Sequence, residues 1–258
     1  MTSRRSSRAA LIVAAWAIAA PLAAQDSSTT PPGVVAPLAA TDSLFALEHP
    51  IGAPLRTGTA TYRLSLLRAS GATSLGERTV DVTETQLGGA PAWLVAEHRT
   101  GSAVPTTDSL WLSRADLTPL RWVGTIDRTQ LAASFTHDSI FGALQNYAGR
   151  SSFATPLLPG VLVTPGMTER IVEMLPLRAG YRAGASLILV DMGTPRALPA
   201  EIALEREESI RTSAGDADCW VVLLRAGAME ERMWVDKSRR IVVRTEQLSS
   251  AGRLVGEL

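Results

Sequence analysis

The stretch from Met229 to Leu248 restricts the fold more than any other part of the chain. Polar and apolar residues alternate, a short charged turn intervenes, and the alternation resumes. Met229, Met233 and Val235 fall on one side, with Glu231 among them, while Glu230, Arg232, Trp234 and Asp236 fall on the other; Ile241, Val243 and Thr245 continue the pattern. A period of two belongs to β-strands, so this stretch reads as a hairpin. Leu110 to Val123 has the same plan. Setting Trp111 on Trp234 brings Leu112 onto Val235, Arg114 onto Lys237, Leu120 onto Val243 and Arg121 onto Arg244. The turns before the two units match as well, Gly88-Gly89-Ala90-Pro91-Ala92-Trp93 resembling Gly215-Asp216-Ala217-Asp218-Cys219-Trp220. The hairpin tryptophans lie 123 residues apart and the earlier pair 127 apart, so a loop difference of four residues reconciles them. One β unit is expected twice.

The rest of the chain fits this plan. Gly58 to Leu67 alternates as a half-buried antiparallel strand, and Glu77 to Leu87, Ala92 to Arg99, Asp108 to Ser113, Thr118 to Ile126 and Gln130 to Phe135 continue the series. Asp138 to Pro159 shows no clear period. Thr164-Pro165 then reads as a helix start, a threonine cap with proline at the first helical position. Met167, Ile171, Met174 and Leu175 form one apolar stripe that Pro176 ends. So short a helix forms because its stripe covers something. Strands are expected again at Ser186 to Met192, Glu201 to Arg211 and Cys219 to Arg225, with Leu254 to Leu258 as a last edge strand. Two six-stranded sheets would each need their own cover. The expected fold is therefore mainly β: a single strongly curved antiparallel sheet, a half-barrel of two related meanders, with a short covering helix.

The expected domain plan has three parts. Arg4, Arg5 and Arg8 precede an apolar run from Ala9 to Ala20, followed by Ala23 and Ala24. This is the pattern of a secretory signal peptide over residues 1–25, and the run is too short to span a bilayer. The twin Arg4-Arg5 pair lacks the apolar residues that follow it in a twin-arginine signal, so Sec export is expected. Residues 26–54, rich in Pro, Ser, Thr and Ala, read as a flexible spacer. Residues 55–258 form the β domain. The chain carries 25 basic and 25 acidic residues, and removing Arg4, Arg5 and Arg8 leaves the remainder acidic by three charges. Nucleic acid and anionic lipid surfaces, which demand surplus Lys and Arg, are not expected partners. Cys219 is the only cysteine. That excludes an internal disulfide, and with no cysteine after the leader no lipid anchor is expected. The location implied is periplasmic or extracellular, with no transmembrane segment after cleavage.

Residues 170 to 250 resemble a family of exported bacterial domains of unknown function, similar in shape to the Lol-type lipoprotein-carrier half-barrels. The likeness rests on Ser213-Ala214-Gly215-Asp216-Ala217-Asp218-Cys219-Trp220, on Arg232-Met233-Trp234-Val235-Asp236-Lys237, and on Val243-Arg244-Thr245-Glu246. Residues 58 to 126 support it more weakly. The resemblance implies an envelope location and an apolar cavity, and it carries no catalytic residue over to this chain.

No hydrolase elbow, zinc-protease helix, phosphate loop or Cys-x-x-Cys occurs. His49, His98 and His137 are the only imidazoles. His49 falls in the spacer, and His137-Asp138-Ser139 are neighbours whose side chains cannot form a relay on an extended chain. Cys219 reads as a buried thiol on a central strand, with nothing nearby to lower its pKa. Asp216 and Asp218 read as turn residues rather than ligands for a cation. Catalytic residues, metal and cofactor are expected to be none. Trp93, Trp122, Met174, Trp220, Met229 and Met233 are the candidate ligand-binding residues, since large rings and flexible thioethers suit an adaptable apolar pocket. Core packing accounts for the same set. Trp111 and Trp234 share strand faces with polar residues and are candidates for a partner surface. The expected function is non-enzymatic binding of a lipid or other apolar or amphipathic molecule in the curved sheet. The alternative is a scaffold for another envelope protein.

Overall fold

The computed structural model describes residues 55–101, 106–126, 128–157, 161–163, 166–191, 194–213 and 215–258. The expected leader, the spacer, His49 and Thr164-Pro165 lie outside them. The chain order is β1 (Gly58–Arg68), β2 (Gly71–Leu87), β3 (Ala90–Thr100), β4 (Thr106–Ser113), β5 (Pro119–Ile126), β6 (Thr129–Phe135), β7 (Ser139–Asn146), β8 (Gly149–Pro156), β9 (Val161–Val163), α1 (Met167–Met174), β10 (Arg182–Asp191), β11 (Thr194–Thr212), β12 (Gly215–Ala226), β13 (Met229–Asp236), β14 (Val242–Ser249) and β15 (Gly252–Glu257).

All fifteen strands belong to one open sheet of order β8-β7-β6-β5-β4-β3-β2-β1-β15-β14-β13-β12-β11-β10-β9. The strands pair antiparallel except β9, which runs parallel to β10. Each half is a meander, and the halves join where β1 meets β15 (Leu64 opposite Gly256, Leu66 opposite Leu254). The expected last edge strand is therefore a central one. Its short sequence looks like an edge, but the pairing partner lies nearly two hundred residues back in the chain and leaves no local trace. The sheet curves so far that Thr155 of β8 donates from its Oγ1 to the Pro195 carbonyl of β11 (3.2 Å), close to the opposite end of the strand order.

The internal repeat is visible in the backbone. In β4–β5 the register shifts between Trp111 and Leu112, and in β13–β14 between Trp234 and Val235. The Leu117 N–H donates to the Ser113 carbonyl (2.9 Å) in the first turn, and the Arg240 N–H to the Asp236 carbonyl (2.8 Å) in the second. Leu117 (φ 61°) and Arg240 (φ 56°) are the non-glycine residues with positive φ among the described residues. Non-glycine residues seldom adopt that conformation, so finding it at matched positions marks a shared turn. Cations cover the matched rings too: Arg114 lies over Trp93 (5.5 Å) as Lys237 lies over Trp220 (5.9 Å), and Arg121 over Trp111 (5.6 Å) as Arg244 over Trp234 (5.3 Å).

Inward residues of both halves and one side of α1 make a single core, which includes Tyr62, Trp93, Trp122, Ile171, Met174, Leu187, Val222 and Met233. The segment after Asp138, without a readable period, forms β7 and β8, whose Ser, Gly and Ala residues give little alternation to read. α1 starts at Met167 with Gly166 as its N-cap. It ends before Pro176 as expected, since the residue before a proline avoids the helical region. Among the described residues no helix is long and apolar enough to cross a membrane.

Candidate functional site

The concave side of the sheet is occupied by α1, and the helix is buried all round rather than on one stripe. Met167, Ile171, Val172, Met174 and Leu175 join the apolar core. The opposite side carries Glu169, Arg170 and Glu173, and these and Thr168 are all buried. A charged helix face can go inside only against matching charge or hydrogen-bond partners; the sheet supplies a charge from β2 and neutral partners from β1 and β14. Arg78 of β2 pairs with Glu169. An Arg170 N–H donates to the Tyr62 hydroxyl (2.7 Å), which donates to the Val242 carbonyl (3.0 Å). The Val242 N–H donates to Glu173 Oε1 (2.7 Å), and Glu173 lies 3.0 Å from Arg170. This ring of contacts stitches α1 to β1 and β14.

Burial and neighbouring charge set the protonation of these groups. Burial pushes the Tyr62 phenol to about 12 and the Glu173 carboxyl to about 7, the nearby Arg170 charge opposing both shifts. Burial also raises Glu169, but the Arg78 guanidinium, a backbone hydrogen bond and the Arg170 charge together outweigh it and hold the carboxyl below its ordinary value. Deeper on the β3–β4 side, Glu97 accepts from Arg99 Nε (2.7 Å) and Asp108 accepts from the Trp122 indole N–H (3.0 Å). Burial pushes Asp108 to about 7; the indole bond pulls it back, and the Glu97 charge raises it further. At the N-terminal end of α1 a cavity of about 40 Å³ is lined by Arg78, Arg99, Thr168, Glu169, Glu231 and Gln247, among others. Space of this size holds roughly three waters. Burial and the Glu169 charge push Glu231, at its rim, to about 8.

The interlock is incompletely satisfied. Arg78 Nε, Glu97 Oε2, Asp108 Oδ2, Thr168 Oγ1 and Arg170 Nε are buried without a hydrogen-bond partner among the described residues. A group left in that condition costs about 1–3 kcal/mol.

Of the expected ligand-binding residues, Trp93, Trp122, Met174, Met229 and Met233 are buried together in the main core, and the half-buried Trp220 packs against it. Met174 lies on α1 itself, and the others belong to the sheet core into which α1 packs. The partner-surface pair divides. Trp111 is half-buried on the outer face. Trp234 is only 4% exposed, packed with Cys219, Val221 and Val243. Arg206, Arg232, Arg244, Glu246 and Arg253 line a cleft of about 350 Å³ above it. Trp234 itself lines the floor of that cleft, with Arg244 over its ring and its indole N–H donated to Glu208 Oε2 (3.3 Å). Cys219 is fully buried and its thiol is pushed up to about 11 by burial and the Asp236 charge. His98 and His137 are exposed. The Asp138 carboxylate takes the Thr136 and Ser139 hydroxyls. Asp216 and Asp218 are exposed, and Asp218 accepts from Ser209. Among the described residues no cluster of three or more His, Cys, Asp or Glu side chains is placed to hold a metal.

The buried ionic residues were missed, although the sequence marked them. Arg78 shares the apolar face of Val80 and Val82, Glu97 that of Trp93 and Val95, and Asp108 that of Leu110 and Leu112. A charge on the apolar side of an alternating strand is the signal. Comparison with known proteins gives no matching family model, no matching curated protein and no matching solved structure.

Proposed function

We propose that this chain is an exported, non-enzymatic envelope protein that binds an acyl chain or other amphipathic molecule on the concave wall when α1 lifts from it. The supporting observation is how α1 is held. One side packs on apolar core, while the other is fastened by the Arg78–Glu169 ion pair and by the Arg170–Tyr62 and Val242–Glu173 hydrogen bonds, with buried polar atoms left without a partner around it. A purely apolar interface would be hard to reopen in water, whereas exposed charges regain hydration on leaving and offset part of the lost contact. Lifting α1 would uncover Trp93, Trp122, Met229 and Met233, a wall suited to a flexible apolar guest. The resemblance of residues 170 to 250 to an exported family similar in shape to the Lol-type carriers agrees with the same reading.

Native mass spectrometry of the protein purified from its own host tests this, together with titration by a fluorescent fatty acid. A co-purifying apolar ligand and saturable binding are expected. A clean apo mass together with no binding overturns the proposal. The second reading, a scaffold for another envelope protein, is favoured by one outer row. Trp111, Arg121, Ser134 and Phe141 lie opposite one another across β4 to β7, with Phe141 45% exposed. Crosslinking that captures a stoichiometric protein partner, with no small ligand, would select it.

A further inference from the structure

We infer that Glu97 and Asp108 share a single proton across β3 and β4, and that this shared proton latches the N-terminal end of α1 to the sheet. The inference concerns regulation of the site proposed above. It rests on that reading only for its use in ligand exchange, since the experiment reads the helix itself.

Glu97 and Asp108 stand directly opposite in the β3–β4 register, are 3% and 4% exposed, and point to the same face as Val95 and Leu110. Directly opposed side chains start about 5 Å apart at Cβ, and the Glu97 charge acts on Asp108 across that gap. Each has one oxygen committed, Glu97 Oε1 to Arg99 and Asp108 Oδ1 to Trp122, and one oxygen without a partner, Glu97 Oε2 and Asp108 Oδ2. One proton on Asp108 Oδ2, donated to Glu97 Oε2, satisfies both. It also removes the cost of burying two like charges side by side. Two glycines make room for the pair. A Cβ at Gly124 would stand 2.2 Å from Asp108 Oδ1, and a Cβ at Gly166 would stand 2.9 Å from Glu97 Oε2. Gly166 is the N-cap of α1, so the single negative charge left on the pair lies against the positive end of the helix. Arg99 on β3, Arg78 on β2, Glu169 on α1 and Glu231 on β13 complete the charged surroundings. Loss of the shared proton puts two anions together, with Arg99 as the one cation bonded to them and the neutral Trp122 indole on Asp108, and their separation pushes Glu97 against Gly166.

Hydrogen exchange of the α1 amides, corrected for intrinsic chemistry, tests this from pH 6 to pH 9 in the wild type and in Asp108→Asn. Wild-type protection should fall at least about tenfold across that range, 1.4 kcal/mol being a factor of ten. In Asp108→Asn the amide N–H₂ donates to Glu97 at every pH, so protection should stay level. A level wild-type profile overturns the inference. So does a fall that persists in Asp108→Asn, which would assign the effect to Glu173 or Glu231. Should that variant fail to fold, carbon-13 titration of the wild-type carboxyls decides. Two separated steps, with one proton retained between them, are expected; a single joint ionisation in the ordinary carboxylate range overturns it. None of these readouts requires a ligand, so a failed ligand search leaves the latch standing and a failed latch leaves the ligand search standing.

Discussion

The hairpin β4–β5 and the hairpin β13–β14 share a backbone to the level of one bulge and one left-handed residue, yet the two halves surround that backbone differently. On the outer face Trp234 is sealed under an Arg and Glu layer, with Arg232 bonded to Glu205 and Arg244 to Glu246 and Glu257. Trp111, half-buried, has Arg121 over it. On the inner face the repeat places Asp108 and Glu231 at equivalent positions, and burial pushes both carboxyls up, to about 7 and about 8. Asp108 then meets a second carboxyl, Glu97, whereas the matching position in the other half is Leu224 and Glu231 opens onto the small cavity. A duplicated strand pattern conserves turn and register because backbone sterics dictate them. Covering groups are free to diverge, and the two halves can thereby serve different ends: one sealed outside and open inside, the other partly open outside and closed inside.

The largest expected effect tests the outer covering. Trp234→Ala removes a sealed ring and should cost about 3–5 kcal/mol, as core aromatics do. Trp111→Ala removes a half-exposed one and should cost about 1 kcal/mol. Urea unfolding of the two variants measures the gap. Equal losses would mean that coverage is not what separates the halves.

The same comparison explains what could be read from the sequence. Residue patterning exposed eleven of the strands besides β15, and the duplicated hairpin, because a half-buried strand writes its two faces into its residues. It failed at β7 and β8, where Gly142, Ala143, Ser151 and Ser152 give no contrast between faces. It also failed for β15, whose place between β1 and β14 is a matter of long-range pairing. The helix was found from its apolar stripe, but its burial on the other side depends on partners from β1, β2 and β14 that no local window contains. Glu231 was visible as an acid on an apolar face. Its meaning needed Arg78 and Glu169 from two other elements.

Sharper discrimination of the inner faces comes from Gly124 and its repeat equivalent, Gln247. Gly124→Ala drives a methyl group into Asp108 Oδ1 and leaves the Trp122 indole N–H unpaired. Overpacking and a lost buried hydrogen bond together should cost about 2–3 kcal/mol. Gln247→Ala, at a half-buried position facing the cavity, should stay within about 0.5 kcal/mol. Thermal unfolding measures both. A neutral Gly124→Ala would show that Asp108 does not depend on the space Gly124 leaves.

The smallest expected effect separates the turns, and its dependence on pH identifies the cause. Asp236 and Ser113 begin the two matched turns. Ser113 Oγ accepts one long bond from the Ala115 N–H (3.3 Å). Asp236 Oδ1 accepts from the Ser238 and Arg239 N–H groups (2.8 Å each) and from the Ser238 hydroxyl (2.7 Å), and its Oδ2 accepts from Arg239 Nε (2.8 Å). Burial alone would raise the Asp236 carboxyl, but these donors outweigh it and hold it at about 2, below its ordinary 3.8. A carboxyl lowered in the folded state stabilises fully above its unfolded value and loses that contribution as pH falls towards the folded one. Asp236→Ala should therefore cost about 1–2 kcal/mol at neutral pH, with the penalty shrinking as pH drops from about 4 towards about 2. Ser113→Ala should cost at most about 0.5 kcal/mol, and the cost should be the same at every pH, because a hydroxyl does not titrate there. If the two penalties kept a constant ratio down to the acid limit, the charge on Asp236 would have no part in closing its turn, and the two hairpins would be alike in energetics as well as in backbone.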